Sequence, residues 1–331
     1  MPRFLLVRGL SAVAVLLVLV TVVFLLQAVV PGDPVRARVG ANASDATVAR
    51  ERHKLGLDQP LPDQFVSYLK NAATGDLGQS IRTGRPVADD IGRYLPATLE
   101  LAIVAMLIGI AGGAVLGVLA ATASRGSGLL RTLFVGGASA PTFLLGFVLV
   151  YIFYLKLGWL PASGRSGIAD PPTGPTGFLL VDGFLSGRPG VSLDAVAYLV
   201  LPAVSLGLLP AVAIGRVLRS SLIVVNDADF IRTARAKGLS GARVLHSHAL
   251  RNAMSAPLTM TGLQFGLMLG GVVVVETIFA WPGIGLYVDQ SIAAGDLPAI
   301  GGVTLVLGAI YVLVNVLVDI GQAIIDPRVK L

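Results

Sequence analysis

Six apolar runs, at about 9–30, 98–123, 132–155, 195–215, 254–279 and 299–319, constrain this 331-residue chain more than any other feature. A hydrocarbon core of roughly 30 Å is crossed by about 20 residues of helix. Each run is long enough, and the expected fold is therefore an all-α polytopic membrane protein with six transmembrane helices. Composition agrees: 54% of residues are hydrophobic and 13% charged, with a mean hydropathy of +0.80. Soluble domains carry about a quarter charged residues. With no cysteine in the chain, disulfides, thiolate metal sites and cysteine nucleophiles are excluded. Arg3 and Arg8 precede the first run, which is longer than the apolar part of a signal peptide. An uncleaved first helix is expected.

The charges between the runs assign sides. With the N-terminus inside, the inner segments hold Arg3, Arg8, Arg125, Arg131, Arg216, Arg219, Arg232, Arg235, Lys237, Arg243, Arg251, Arg328 and Lys330 against only Asp227, Asp229 and Asp326. Short loops rich in Arg and Lys stay in the cytoplasm. Both termini and the basic stretch 216–253 are thus expected there, in a multi-pass protein of the cytoplasmic (inner) membrane. The net charge of +6 reads as topology rather than as nucleic-acid binding.

The chain divides into an N-terminus and first span (1–30), an extracytoplasmic cap (31–96), and a five-helix core (97–331) with an external loop at 157–194. In the cap, Thr47–Leu57 carries helix formers, Pro60-Leu-Pro62 breaks the chain, and Phe65, Tyr68 and Leu69 recur at helical spacing. A small helical cap is expected. Pro161–Val191, rich in Gly, Pro and Ser, is expected to be irregular.

Gly109, Gly113 and Gly117 recur every four residues in the second run, as do Gly262, Gly266 and Gly270 in the fifth. Such stripes let another backbone approach closely. They serve either packing within the chain or a seam along a dimer interface or gated pathway. Pro141, Pro202 and Pro210 fall inside or at the ends of runs and imply kinks. Glu100, Glu276 and Asp319 lie near the ends of runs, and none sits at mid-membrane, where a proton- or ion-coupled carrier would place one.

The stretch Asp229–Asn252 is too charged for lipid and too patterned for a slack loop. Acids at its start and Lys237 at its end match the helix dipole. Gly238 is placed to terminate the first helix and Ser240 to cap a second, Gly241–Ala253. The expected shape is a helix-turn-helix with Leu239 as an exposed apolar tip, suited to docking into another protein. The competing reading is an interfacial segment held by anionic lipid, where each basic residue contributes roughly 1 kcal/mol. His246 and His248, two apart on a helix, point about 200° from each other and cannot share a metal. There is no Gly-x-x-x-x-Gly-Lys-Ser/Thr phosphate loop, no His-Glu-x-x-His and no Gly-x-Ser-x-Gly. The chain is not expected to be an enzyme on its own.

These residues resemble the inner-membrane permease subunits of ATP-binding-cassette (ABC) importers, in the branch that takes up peptides and nickel. The family's coupling loop reads Glu-Ala-Ala, three residues, Gly, nine residues, Ile-x-Leu-Pro. Aligned on Gly238, the triplet falls on Arg232-Thr233-Ala234 and the ending on His248-Ala249-Leu250-Arg251. Arg232 and Arg251 depart from the general pattern, but Arg232-Thr-Ala-Arg-Ala-Lys-Gly-Leu239 and His248-Ala-Leu-Arg-Asn252 are the forms of the peptide branch. Pro31-Gly-Asp-Pro34, Leu55-Gly-Leu-Asp-Gln-Pro-Leu-Pro62, Gly75-Asp-Leu-Gly-Gln-Ser80, Leu95-Pro-Ala-Thr-Leu-Glu-Leu101 and Glu276-Thr-Ile-Phe-Ala-Trp-Pro-Gly-Ile-Gly285 agree with it in order.

The resemblance implies a type I importer permease fold and a coupling loop carried by Asp229, Arg232, Thr233, Ala234, Arg235, Ala236, Lys237, Gly238, Leu239, Ser240 and Arg251. It implies an outer-mouth segment, with Glu276, Pro282, Gly283 and Gly285 as candidates for a gate or a binding-protein contact. Its expected partners are a second homologous permease, two cytoplasmic ATP-binding subunits and an extracellular substrate-binding lipoprotein, within membrane lipid. ATP and Mg would bind the ATPases, and no cofactor is expected in this chain. Di- and oligopeptides are the expected cargo. Nickel chelates, opines or short oligosaccharides are the alternative within the family, and a standalone secondary carrier is the alternative outside it.

Overall fold

The computed structural model describes residues 2–29, 34–40, 42–122, 141–172 and 174–325. Among these residues helix dominates, and the one β pairing is an isolated antiparallel bridge between Gln79 and Pro86. Among the described residues five helices are long and apolar enough to cross a membrane: α1 (Pro2–Val29), α5 (Val87–Thr122), α8 (Pro189–Asn226), α12 (Ser255–Ile278) and α14 (Leu297–Ile325). The third expected span is α6 (Thr142–Leu149) continued by a π-helical turn, Val150–Lys156. Its first part, 132–140, and the turn 124–131 lie outside the described residues. Pro141 is the N-cap of α6 rather than a kink within a span.

Two spans exceed their apolar runs. α5 has 36 residues and α8 has 38. At a rise of 1.5 Å per residue they reach about 54 and 57 Å, well past a core of roughly 30 Å. α5 begins inside the expected cap region and carries Pro96 in its interior. α8 has Pro189 in its first turn, where the missing N–H is not needed, and carries Pro202 and Pro210 further along. The segment 161–191, expected to be irregular, contains α7 (Leu179–Leu185) and the start of α8. The helical signal there is short and masked by flanking Gly and Pro.

The α5–α8 pair is the spine of the molecule. A Cβ on Gly113 would lie 2.9 Å from Ala211 O, and one on Gly117 would lie 2.9 Å from Gly215 O. A Cβ on Gly109 would meet Pro210 Cβ at 2.9 Å. The two backbones therefore touch, which small residues permit and which lipid, being as apolar as Leu, cannot otherwise drive. This stripe packs within the chain. The second stripe does so in part: a Cβ on Gly262 would meet Val318 and Asn315, one on Gly266 would strike the Tyr311 ring, and one on Gly270 would meet nothing within 4 Å. Packing among the described residues therefore accounts for Gly262 and Gly266 and not for Gly270.

The half of the core on the side of the cap, termed outer from the expected topology, joins Leu101 and Ala105 of α5, Leu201 and Leu206 of α8, and Phe265 and Val272 of α12 with Phe279 and Trp281. α1 is peripheral. It lies on α14, where Arg8 pairs with Asp319 at 3.1 Å near the end opposite the cap, termed inner from the same expectation. Near its outer end Phe24 meets the rings of Phe65 and Tyr68 at 5.3 and 5.6 Å. Those two rings belong to α4 (Leu61–Thr74), the main helix of the cap. Two smaller cap helices precede it, α2 (Pro34–Val39) and α3 (Asp45–Lys54). Ser44 caps α3 by accepting the Thr47 N–H at 3.3 Å.

Candidate functional site

At the inner end, α8 stops at Asn226 and the chain turns into α9 (Asp229–Ala236). Gly238 takes a φ of +76°, a left-handed conformation open to glycine at no steric cost. Its N–H donates to Arg235 O at 2.9 Å, and the Leu239 N–H donates to Ala234 O at 3.4 Å. This is a Schellman ending. Ser240 then caps α10 (Gly241–Val244) by accepting the Arg243 N–H at 3.4 Å. The second helix of the hairpin is not uniform. It passes through a π turn, Leu245–Ala249, before α11 (Leu250–Ala253).

The hairpin turns its charges outward and its apolar residues inward. Ile231, Ala234, Val244, Ala249 and Ala253 pack with Leu218 and Leu222 of α8, and Ala114, Val118 and Ala121 of α5 lie against them. The hairpin is thereby joined to the inner ends of both spine helices. Arg219 adds a tie between them, its Nε donating to Ala120 O at 3.2 Å. Arg232, Thr233, Arg235, Ala236, Lys237 and Arg251 are exposed, as is Asp229, which pairs with Arg232 at 3.3 Å.

One expectation is corrected here. Leu239 is not an exposed tip. It is half-buried against the same apolar cluster, because a Schellman ending folds the residue after the glycine back onto the last helical turn. The large apolar side chain that the hairpin does expose is Phe230, at 44%.

The outer end is built differently. Glu276, near the end of α12, is fully buried and is not a carboxylate at the water boundary. Its Oε1 accepts from Thr98 Oγ1 at 2.6 Å, and its Oε2 accepts the N–H groups of Gly285 and Leu286 at 2.7 and 3.0 Å. Those amides open α13 (Ile284–Ala293), so Glu276 caps a helix that follows it in sequence. Thr98 in turn accepts the Ile284 N–H at 2.7 Å, and Trp281 Nε1 donates to Ala97 O at 3.0 Å. Gly283 has no room for a Cβ, which would overlap the Glu276 carboxylate, and Gly285 would meet Val273 Cα at 2.7 Å. Of the four gate candidates, then, Glu276, Gly283 and Gly285 form one buried knot. Pro282 stands exposed beside it.

Further carboxylates hold the outer loops. Glu100 accepts from Arg165 Nη2 at 2.5 Å and Nε at 3.1 Å, and from the Leu180 N–H at 2.8 Å. Asp194 accepts from Ser166 Oγ at 2.6 Å. On the cap side, Ser80 Oγ and the Arg82 N–H donate to Asp296, at 2.5 and 3.2 Å. Thr83 Oγ1 donates to Asp90 at 2.5 Å, and Tyr287 OH does so at 3.1 Å. Burial and the neighbouring Asp90 push the Tyr287 phenol up to about 12, so it remains a donor. The conspicuous sequence segments 75–80, 95–101 and 276–285 are therefore brought into one layer. None of their pairings has a local signal.

Residues 113–331 match the family model for the binding-protein-dependent transport system inner membrane component. The chain belongs to that family. Residues 1–102 match the companion model for the N-terminal part of such membrane components. The chain is 43% identical over 311 residues to the probable D,D-dipeptide transport system permease protein DdpB of Escherichia coli K12, covering 93% of this chain and 92% of that one. It is 42% identical to the di/tripeptide transport system permease protein DppB of Pseudomonas aeruginosa, again over 93% and 92%. With the dipeptide transport system permease protein DppB of Alkalihalophilus pseudofirmus it shares 39% identity over 98% of each chain. The protein is thus the multi-pass, non-catalytic membrane component of a transport system that works with a binding protein.

Proposed function

We propose that this chain forms half of the pathway of an ATP-driven importer of di- and oligopeptides. A homologous permease supplies the other half, and an extracellular lipoprotein delivers the cargo. Two cytoplasmic subunits hydrolyse ATP with Mg. The inner hairpin receives one of them, with both termini on the same cytoplasmic side. Peptide as cargo is supported by the names of the relatives, each of which transports di- or tripeptides.

The observation that carries the reading is the apolar joint between the hairpin and the inner ends of α5 and α8. A hairpin held only by lipid would bury its apolar face in the membrane and needs no such joint. A hairpin that transmits force needs a stiff attachment behind it and an unpartnered surface in front. The exposed Phe230, with Arg235 and Lys237, supplies the second. In the complex reconstituted with its ATPases and binding protein, Phe230→Asp is expected to leave insertion intact and abolish peptide-stimulated ATP hydrolysis. Gly238→Pro should do the same, since proline cannot adopt a positive φ. Wild-type stimulation in both variants would refute the docking role. Unchanged dialanine uptake by cells lacking this gene and its neighbours would refute peptide as cargo.

A further inference from the structure

The segment 157–194, expected to be an external loop, contains α7, and the depth of that helix is fixed from two sides. At its start the Leu180 N–H donates to Glu100 Oε1 at 2.8 Å, and Glu100 stands at the head of the second apolar run. Along its inner face Leu179 packs with Val191 and Ala195 of α8, where the fourth run begins. Ser192 Oγ donates to Leu180 O at 2.8 Å. Gly183 lies so close to α8 that a Cβ there would come within 2.8 Å of Ser192 N. α7 is therefore held where two apolar runs start. At 1.5 Å per residue, Val191 lies about 6 Å beyond Ala195, and a headgroup layer is about 5–8 Å deep on each side of the hydrocarbon.

Held at that depth, α7 sorts its residues by face. Leu179, Asp182 and Gly183 are buried. Asp182 is the only charge in the helix, and its Oδ1 is turned inward to the Thr176 N–H and hydroxyl at 3.2 and 2.8 Å. Val181, Phe184 and Leu185 face out, the last two 63 and 65% exposed. No polar side chain stands among them. Leu193 and Val196, on the first turns of α8, are exposed as well. Trp159, just past the π turn that ends the third span, is also exposed, and tryptophan is enriched at membrane–water boundaries.

We infer that α7 lies in the bilayer interface on the side of the cap, with Val181, Phe184 and Leu185 sunk among the upper acyl chains of phospholipid. Apolar surface left exposed marks a contact with protein or membrane. Protein contacts are rimmed by hydrogen-bonding side chains. α7 offers none on this face, and its depth puts it against lipid. The helix then ties the interface to the head of α5, because Glu100 binds Arg165 with its other oxygen. Nothing in this inference depends on the cargo.

The chain has no cysteine, so a nitroxide can be attached at a single chosen position of the full-length protein. Phe184→Cys and Leu185→Cys are spin-labelled in nanodiscs of phosphatidylcholine and phosphatidylglycerol. Leu107→Cys, exposed in the middle of the second run, is the lipid reference, and Asp63→Cys, exposed on α4, is the water reference. Power saturation compares collisions with oxygen, which concentrates in lipid, and with a nickel chelate, which stays in water. Oxygen collisions should exceed nickel collisions at both α7 positions, by less than at Leu107 and opposite to Asp63. The same order is expected when the chain is purified in complex with the products of the neighbouring genes.

Nickel collisions equal to or above those of oxygen at the two α7 positions would place the helix in water and overturn the inference. Loss of both kinds of collision there in the assembled complex would assign the face to a protein partner and overturn it equally. All four substitutions replace exposed side chains, so the fold is left alone, and two labels on α7 guard against a local effect of either.

Discussion

The two ends of this permease hold themselves together by opposite means. At the inner end the hairpin buries only apolar side chains against α5 and α8 and turns every charge to the outside. At the outer end, buried carboxylates reach across the sequence to hold loops and helix starts: Glu276, Glu100, Asp90 and Asp296. An apolar joint is non-directional and close-packed, so it passes displacement on without a preferred breaking point. A carboxylate that collects several donors is directional, and it is lost as a unit when the donors move apart. On the reading proposed above, the hairpin end must push and the opposite end must open. The chemistry at each end suits its task.

The sharpest way to break this comparison is at Glu276. Glu276→Ala leaves Thr98 and the Gly285 and Leu286 amides without their acceptor, at about 1–3 kcal/mol for each buried group. A loss of about 3 kcal/mol or more is expected, read as a lowered unfolding temperature of the purified chain. Glu276→Gln retains one oxygen and should lose less. If the Ala variant melts with the wild type, the outer knot is not structural.

Next comes the apolar joint. Ile231→Ala should cost about 2–4 kcal/mol through the cavity it leaves. It should also weaken ATPase coupling although Ile231 is fully buried and contacts no partner. Coupling at wild-type strength in that variant would show that the hairpin works without a stiff attachment. Arg235→Ala on the exposed face should change stability by no more than about 0.5 kcal/mol. Any coupling defect there would then report docking alone, and a large stability loss would contradict the outward placement of the charges.

The smallest effect is in the cap, where His53 Nδ1 and Asp58 lie 2.6 Å apart on the surface. The hydrogen bond to Asp58, and then its charge, raise the His53 pKa above 6.5 and lower that of Asp58. A raised histidine value means the contact contributes most below pH 6.5 and is lost as pH rises through the folded value. NMR titration should give a His53 pKa above the ordinary one, returning to it in Asp58→Asn. Coincident curves would remove the contact.

Much of this was legible in the residues. The spans follow from run length, and the two caps of the hairpin follow from Gly238 and Ser240, because a cap is a contact between near neighbours. Leu239 was misread because exposure was inferred from its place at an elbow, whereas the Schellman geometry turns it inward. Whether Gly270 packs within the chain was not legible, because a regular stripe says nothing about what lies opposite each glycine. Sequence alone determined that the chain crosses a membrane, which loops are basic, and that a capped hairpin stands between the fourth and fifth runs. Only the tertiary structure decided which carboxylate holds which loop. Thr98 and Glu276 are 178 residues apart, and Ser80 and Asp296 are 216 apart. No periodicity links such residues. Their pairing exists only once the helices have packed and excluded the water that would otherwise satisfy each group alone.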